Sequence, residues 1–308
     1  MTFSWSGFGK PGYNFHHKFF KKMKSEIHVS KTFINSLLLA VLFCFANNHL
    51  AAQDEQPQGY YAFDYMLVKP GKHDEYLKLE KAWKKIHQAN IKAGKYNAWE
   101  LTHVEYPCGD NEEYNYVTRT NFRGEKQLAN YIGNWTMPAD LESILTAEER
   151  ALVERTSEIR TWVKSEVWAH ADMAAGKDLD KEKIVVFNYF DFPETGSRTD
   201  HFRVEREIWK PVHEARIKDG KMIGWVMVGK VLPGGSAQPY FDATVDLYAD
   251  WEQFLTSGSP ITYFEKVHAG KDFDKMYAET EAACDLIRQE VRSVVDNSDM
   301  PGEAAAKK

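Results

Sequence analysis

Two histidines carry the first chemical possibility in this sequence. His87 and His213 each lie four residues after a tryptophan, in WKKIHQANIKAGK from Trp83 and WKPVHEARIKDGK from Trp209. An imidazole changes charge near neutral pH, so it can act as general base or as a ligand donor. At about 100° per residue, Tyr76, Leu79, Trp83, Ile86, His87 and Asn90 share one helix face, with Glu80 at its edge. The second face carries Phe202, Glu205, Trp209, Val212, His213 and Arg216, with Arg206 at its edge. Both faces are apolar enough to be inward, yet they hold polar groups. An unsatisfied buried polar group costs roughly 1–3 kcal/mol, so these groups either pair with one another or line a cavity.

The second face holds more charge and is the first choice for a site. His213 with Arg216 is the expected catalytic pair, orienting and deprotonating a ligand. Trp209, Glu205, Arg206, His87, Trp83 and Asn90 are the expected ligand-binding residues. The competing account is structural: an inward His can simply hydrogen-bond the facing sheet, and a large ring anchors a core. Other chemistry is thinner. Strand alternation would put Trp168, His170 and Asp172 on one face, but two ligands without a third make a poor metal site. Copy two has Gly229 where copy one has His103, a difference that could leave room for a ligand. No phosphate loop, dinucleotide fingerprint, zinc-protease motif or Gly-x-Ser-x-Gly occurs. No cofactor is expected, although haem stays open with His213 as axial ligand, imidazole being a normal haem donor.

The elements that position these residues are written twice. Trp83, Lys84, His87, Ala89, Ile91, Lys92, Gly94, Lys95, Trp99, Pro107 and Gly109 all recur 126 residues later. Tyr114 and Thr118 match Tyr240 and Thr244 at the same shift. At a shift of 124, Phe63 and Tyr65 match Phe187 and Tyr189, and Glu166-Val167 matches Glu290-Val291. So long a period marks a duplicated domain. Each copy reads strand (60–68; 183–192), helix (73–92; 198–218), strand (96–106; 222–232), strand (114–122; 240–248), helix (147–159; 273–286) and strand (163–171; 287–295). The last strand of copy two could equally be helix. Gly94 and Gly220 stand where helices end.

The order β-α-β-β-α-β is a ferredoxin-like plait, with both helices on one sheet face and the other face bare. The fold class expected is α+β: two tandem ferredoxin-like repeats, 53–176 and 177–308, whose sheets pack face to face as an intramolecular α+β barrel. The last residues of the second repeat read as a disordered tail. In tandem, with a Trp- and His-bearing first helix, this order resembles the dimeric α+β barrel superfamily, which includes monooxygenase-type, EthD-like, NIPSNAP-like and chlorite dismutase-like proteins. The resemblance implies a cavity between sheet and helices that holds a small aromatic molecule or haem.

Bulk composition agrees. Hydrophobic residues are 43%, charged residues 27%, and nine tryptophans are available to fill a core or line a cavity. A net charge of −6 argues against a nucleic-acid partner. Residues 23–52 read as a signal peptide: Lys24 and Lys31, the run FINSLLLAVLFCFA, then Ala51-Ala52. Residues 1–22 read as an upstream extension, with Met23 the start. The expectation is an exported chain, periplasmic or secreted, with no membrane span after cleavage. Cys108 and Cys284 would remain, and sequence does not place them together. The partner expected is a small apolar or aromatic molecule, bound by a cofactor-independent enzyme or by a non-catalytic module. Assembly into a homo-oligomer is left open.

Overall fold

A computed structural model describes residues 59–109 and 111–298. The expected upstream extension, signal peptide and C-terminal tail lie outside the described residues. The first repeat runs β1 (Tyr60–Val68), α1 (His73–Lys92), β2 (Ala98–Tyr106), β3 (Tyr116–Phe122), α2 (Glu125–Asn134), α3 (Leu141–Ile144), α4 (Ala147–Glu154), α5 (Thr156–Ile159) and β4 (Arg160–Ala175). The second runs β5 (Ile184–Asp191), α6 (Arg198–Val204), a π-helical turn (Glu205–Trp209), α7 (Lys210–Lys218), β6 (Gly224–Leu232), β7 (Asp242–Tyr248), α8 (Trp251–Thr256), α9 (Pro260–Val267), α10 (Phe273–Ala283) and β8 (Asp285–Ser298).

The eight strands close in the order β1-β3-β2-β8-β5-β7-β6-β4, antiparallel throughout. The result is a closed eight-stranded α+β barrel made within one chain. The two sheets do more than pack face to face: β2 pairs with β8 and β4 with β6. Each repeat has two edge strands with unmade hydrogen bonds, and joining edge to edge removes them all. The last strand of the second repeat is strand throughout.

Alternation along β1 sorts the side chains. Phe63 and Tyr65 face the barrel interior, with Phe187, Tyr189, Trp168 and Tyr240. Ala62 and Met66 face the helices, in a core with Tyr76, Leu79, Trp99 and Tyr116. The duplication extends to irregularities. The register of β1 on β4 slips between Tyr65 and Met66, and that of β5 on β8 slips between Tyr189 and Phe190, 124 residues on.

α1 has 20 residues, and its counterpart has 21 over α6, the π turn and α7. The π turn absorbs the extra residue, since an i→i+5 turn takes one more residue without turning the face. It also corrects the helical wheel. Upstream of the turn the equivalences are Tyr76 with His201 and Glu80 with Glu205, in place of Phe202 and Arg206. Both helices then end alike. The Gly94 and Gly220 amides bond to the carbonyls of Ile91 and Ile217, and those of Lys95 and Lys221 bond to Asn90 and Arg216. Both glycines take φ near +70°, which a side chain would strain.

A cavity in the first repeat and a closed core in the second

A cavity lies in the first repeat, between the outer face of its sheet and α1–α2. It measures about 450 Å³, within the range of small-molecule sites. Trp83, Trp135, Trp162 and Tyr131 wall it, and Asp64, Glu80, His87 and Arg160 supply its charged and titratable groups. α1 presents Glu80, Trp83 and His87 on one stripe, because residues three and four apart are neighbours on a helix. Trp135 and Trp162 are 41% and 65% exposed and form an apolar lip.

His87 stacks on Trp99, with ring centroids 4.8 Å apart and planes 14° from parallel. Its Nδ1 meets the Tyr96 hydroxyl at 2.7 Å, and the Asn90 amide donates to that hydroxyl at 3.3 Å. With Tyr96 donating to Nδ1, the ring proton sits on Nε2. Burial, and then the nearby Arg160, pushes His87 down to about 3. A neutral imidazole of that kind donates a hydrogen bond and is a poor base at neutral pH.

Glu80 is buried, with its Oε1 3.3 Å from Arg160 Nε. Burial raises its carboxyl above the ordinary range, with Arg160 and Tyr76 opposing and Asp64 adding. Asp64 accepts from Ser165 and, at 3.3 Å, from Tyr131. Ser165 in turn accepts from the Trp162 indole at 3.0 Å. Burial raises Asp64 too, against the hydrogen bonds of Ser165 and Tyr131 and the field of Arg160.

The corresponding space of the second repeat is a paired core. His201, fully buried, places Nδ1 3.2 Å from Asp242 and Nε2 3.6 Å from Glu205. Burial opposes its charge, but hydrogen bonds to Asp242, Cys284 and Glu205 outweigh it and raise His201 to about 11. Arg198 closes the cluster, bonding Asp242 at 2.7 Å. Further along, His213 stacks on Trp225 (5.5 Å, 12°), and burial with Arg216 pushes it down to about 3. Arg216 bonds His213 Nδ1 and the Tyr248 hydroxyl, both at 3.3 Å.

The expected site residues therefore separate. Trp83 and His87 line the large cavity, and Asn90 stands behind them through Tyr96. His213, Arg216 and Glu205 are buried among partners and line neither of the two larger cavities. Trp209 bonds Thr280 at 3.0 Å and packs on Phe264. Arg206 lines a second cavity of about 320 Å³ with His170, Arg198, Phe202 and Gly229, and bonds Asp172 at 3.2 Å. Gly229 lines this second cavity, as the missing side chain allows, and an added Cβ would stand 3.2 Å from Phe202 and 3.4 Å from Asp242.

One expectation needs correcting. Asp172 does not share a face with Trp168. β4 runs to Ala175, and a register slip between His170 and Asp172 turns the carboxylate toward Arg206 and Lys210. Cys108 and Cys284 are both free, one exposed and one buried. Among the described residues no cluster of three or more His, Cys, Asp or Glu side chains could hold a metal ion, and no helix is long and apolar enough to cross a membrane.

Sequence reading missed a further constellation. Inside the barrel Glu166 accepts from Tyr65 (2.8 Å) and Tyr240 (2.7 Å) and pairs with Lys230 at 3.1 Å. Its duplicate Glu290 accepts from Tyr114 and pairs with Arg292 at 2.6 Å. The repeated Tyr65/Tyr189, Tyr114/Tyr240 and Glu166/Glu290 carried the signal, since identities retained by both copies at inward strand positions share one environment.

The residues do not fit haem. His213 is buried, stacked on Trp225, and is not among the residues lining either of the two larger cavities. In the first cavity Arg160 is already held by Glu80, so two propionates would find carboxylates where they need cations.

No protein-family model matches the chain, and no curated protein is detectably similar to it. Among solved structures it is similar to a monooxygenase candidate from Fusobacterium nucleatum, 10% identical over 80% of this chain and 95% of that one, with a TM-score of 0.48. It is also similar to an anthrone oxidase-like protein (10% identical, 82% and 98% covered, TM-score 0.46). A third is a heme-binding protein from Thermus thermophilus (11%, 78% and 94%, TM-score 0.42). These are likenesses of fold.

Proposed function

We propose that this chain is an exported small-molecule-binding α+β barrel whose ligand, an apolar aromatic compound, sits in the cavity of the first repeat. The observation that carries the reading is the cavity itself: about 450 Å³, walled by three tryptophans and a tyrosine, with polar groups gathered on one side. Flat rings stack on such walls, and a few placed polar groups set their orientation. His87 offers an Nε2–H to a ligand oxygen, in an orientation fixed by Tyr96 and Trp99. In a catalytic version of the site Asp64 is the proton acceptor, because His87 stays neutral and unprotonated. The His213–Arg216 pair serves in this proposal as the second repeat's structural counterpart of His87–Tyr96. Export, read from residues 23–52, is part of the same proposal and is checked by the N-terminus of the mature chain.

The binding test is calorimetric titration with 1-naphthalenemethanol. Saturable binding is expected in the native protein and in Trp251→Ala, a surface change in the second repeat. Trp83→Ala and Trp135→Ala should each weaken it roughly tenfold, the scale of one lost ring contact. Trp135→Ala matters most, because that side chain is at the lip and its loss leaves the core intact. Binding that survives both changes would place the ligand elsewhere.

A further inference from the structure

We infer that the cavity of the first repeat selects a cationic ligand, an aromatic or apolar compound carrying a protonated amine, with Asp64 as the counter-ion. This deepens the proposed reading of the same cavity and rests on it.

The lining holds two carboxylates, Asp64 and Glu80, against one guanidinium, Arg160. His87 is neutral and adds no charge. Arg160 places Nε 3.3 Å from Glu80 Oε1, so that pair accounts for one carboxylate. Asp64 is left with hydroxyls: Ser165 on one oxygen, Tyr131 on the other. Among the described residues it makes no ion pair. Asp64 is half-buried and hydrogen-bonded by neutral donors, and burial raises its carboxyl against the field of Arg160, so a cation placed beside it would offset the burial of its charge. The walls agree with the charge. The faces of Trp and Tyr rings attract cations within about 6 Å of the centroid, and four such rings surround this space.

The second repeat shows that the fold does not require this arrangement. Asn188 stands at the position of Asp64 and bonds Thr244 and Gln289. Leu286 and Cys284 stand at the positions of Trp162 and Arg160. The second repeat, whose corresponding space is a paired core, lacks the carboxylate, the lip tryptophan and the arginine together.

Three probes with one ring system separate the possibilities: 1-naphthylmethylamine, 1-naphthalenemethanol and 1-naphthoate, titrated calorimetrically into the full chain at neutral pH. The amine should bind about tenfold to a hundredfold more tightly than the alcohol, the worth of a charge-assisted hydrogen bond, and the naphthoate most weakly. Asp64→Asn should remove the preference, so that amine and alcohol bind alike; Asn188 shows that the fold accepts this side chain. Equal binding of amine and alcohol, or a preference that survives Asp64→Asn, overturns the inference and leaves the aromatic cavity standing. Absence of binding by all three probes overturns both.

Discussion

At the scale of single residues, three histidines with opposite titration behaviour dominate. His87 and His213 are held neutral, at about 3, by burial and a neighbouring arginine. Their folded values lie below the unfolded one of 6.5, so their contribution to stability is complete above pH 6.5. It is lost as pH falls toward 3, because the unfolded chain then binds protons the folded chain refuses. His201 is the reverse. Raised to about 11 by Asp242, Cys284 and Glu205, it contributes fully below pH 6.5 and loses that contribution as pH rises toward 11. Each proton contributes a slope of about 1.4 kcal/mol per pH unit where the folded and unfolded states differ fully. Urea denaturation followed against pH should show both declines. His201→Gln should flatten the alkaline one, and an unchanged alkaline slope in that variant would refute the charged assignment. None of this was legible in the sequence. His87 and His213 stood out by their repetition, whereas His201 has no identical partner and its second carboxylate, Asp242, lies 41 residues away.

At the scale of elements, the π turn decides what the helix of the second repeat presents. Deleting Glu207, an exposed residue of that turn, should convert it to regular α-helix. The spacings of His201, Val204 and Glu205 to the tryptophan become seven, four and three, those of Tyr76, Leu79 and Glu80 in the first repeat. Both faces stay in phase, so the melting temperature should move by no more than about 4 °C. Deleting Ala215 from α7 turns the last part of the helix by about 100° relative to the rest and should unfold the repeat. If both deletions are equally damaging, the π turn is not a one-residue insertion. Periodicity and duplication made each helix readable as an element, but not the turn within it. A wheel assumes one angle throughout, and the extra residue was visible only as a change of shift between flanking strands.

At the scale of the molecule, the barrel interior is where the two repeats are made to agree. Glu166 and Glu290 are duplicates, yet their cations come from different places: Lys230 on β6 for one, Arg292 on β8 for the other. Trp168 stands where the Arg292 position repeats, and Val104 where Lys230 does. Glu290 also meets Arg288 at 2.8 Å, so it has two guanidiniums where Glu166 has one ammonium. Glu166→Gln should destabilise the protein by about 3–5 kcal/mol, because Lys230 is left buried without a counter-ion. Adding Lys230→Met should recover most of that loss, since removing both charges removes the penalty. The midpoint of urea unfolding reports both, and a single variant as stable as the native chain would show that Lys230 finds water.

The barrel itself was determined by sequence, through pattern. Alternation in Phe63 to Tyr65, the helical stripe from Tyr76 to Asn90 and the recurrence at 124–126 residues are local or self-referential, and they survive without coordinates. Two bare sheet faces and four open edges in one chain then leave closure as the outcome. Which repeat holds the space was decided only in three dimensions. Asp64, Arg160 and Trp162 meet α1 across a sheet, and His201 meets Asp242 across another. Whether such groups fill a volume or leave it empty depends on where side chains distant in the chain end. Local pattern carries no measure of volume, so the tertiary structure put the cavity in the first repeat and the paired core in the second.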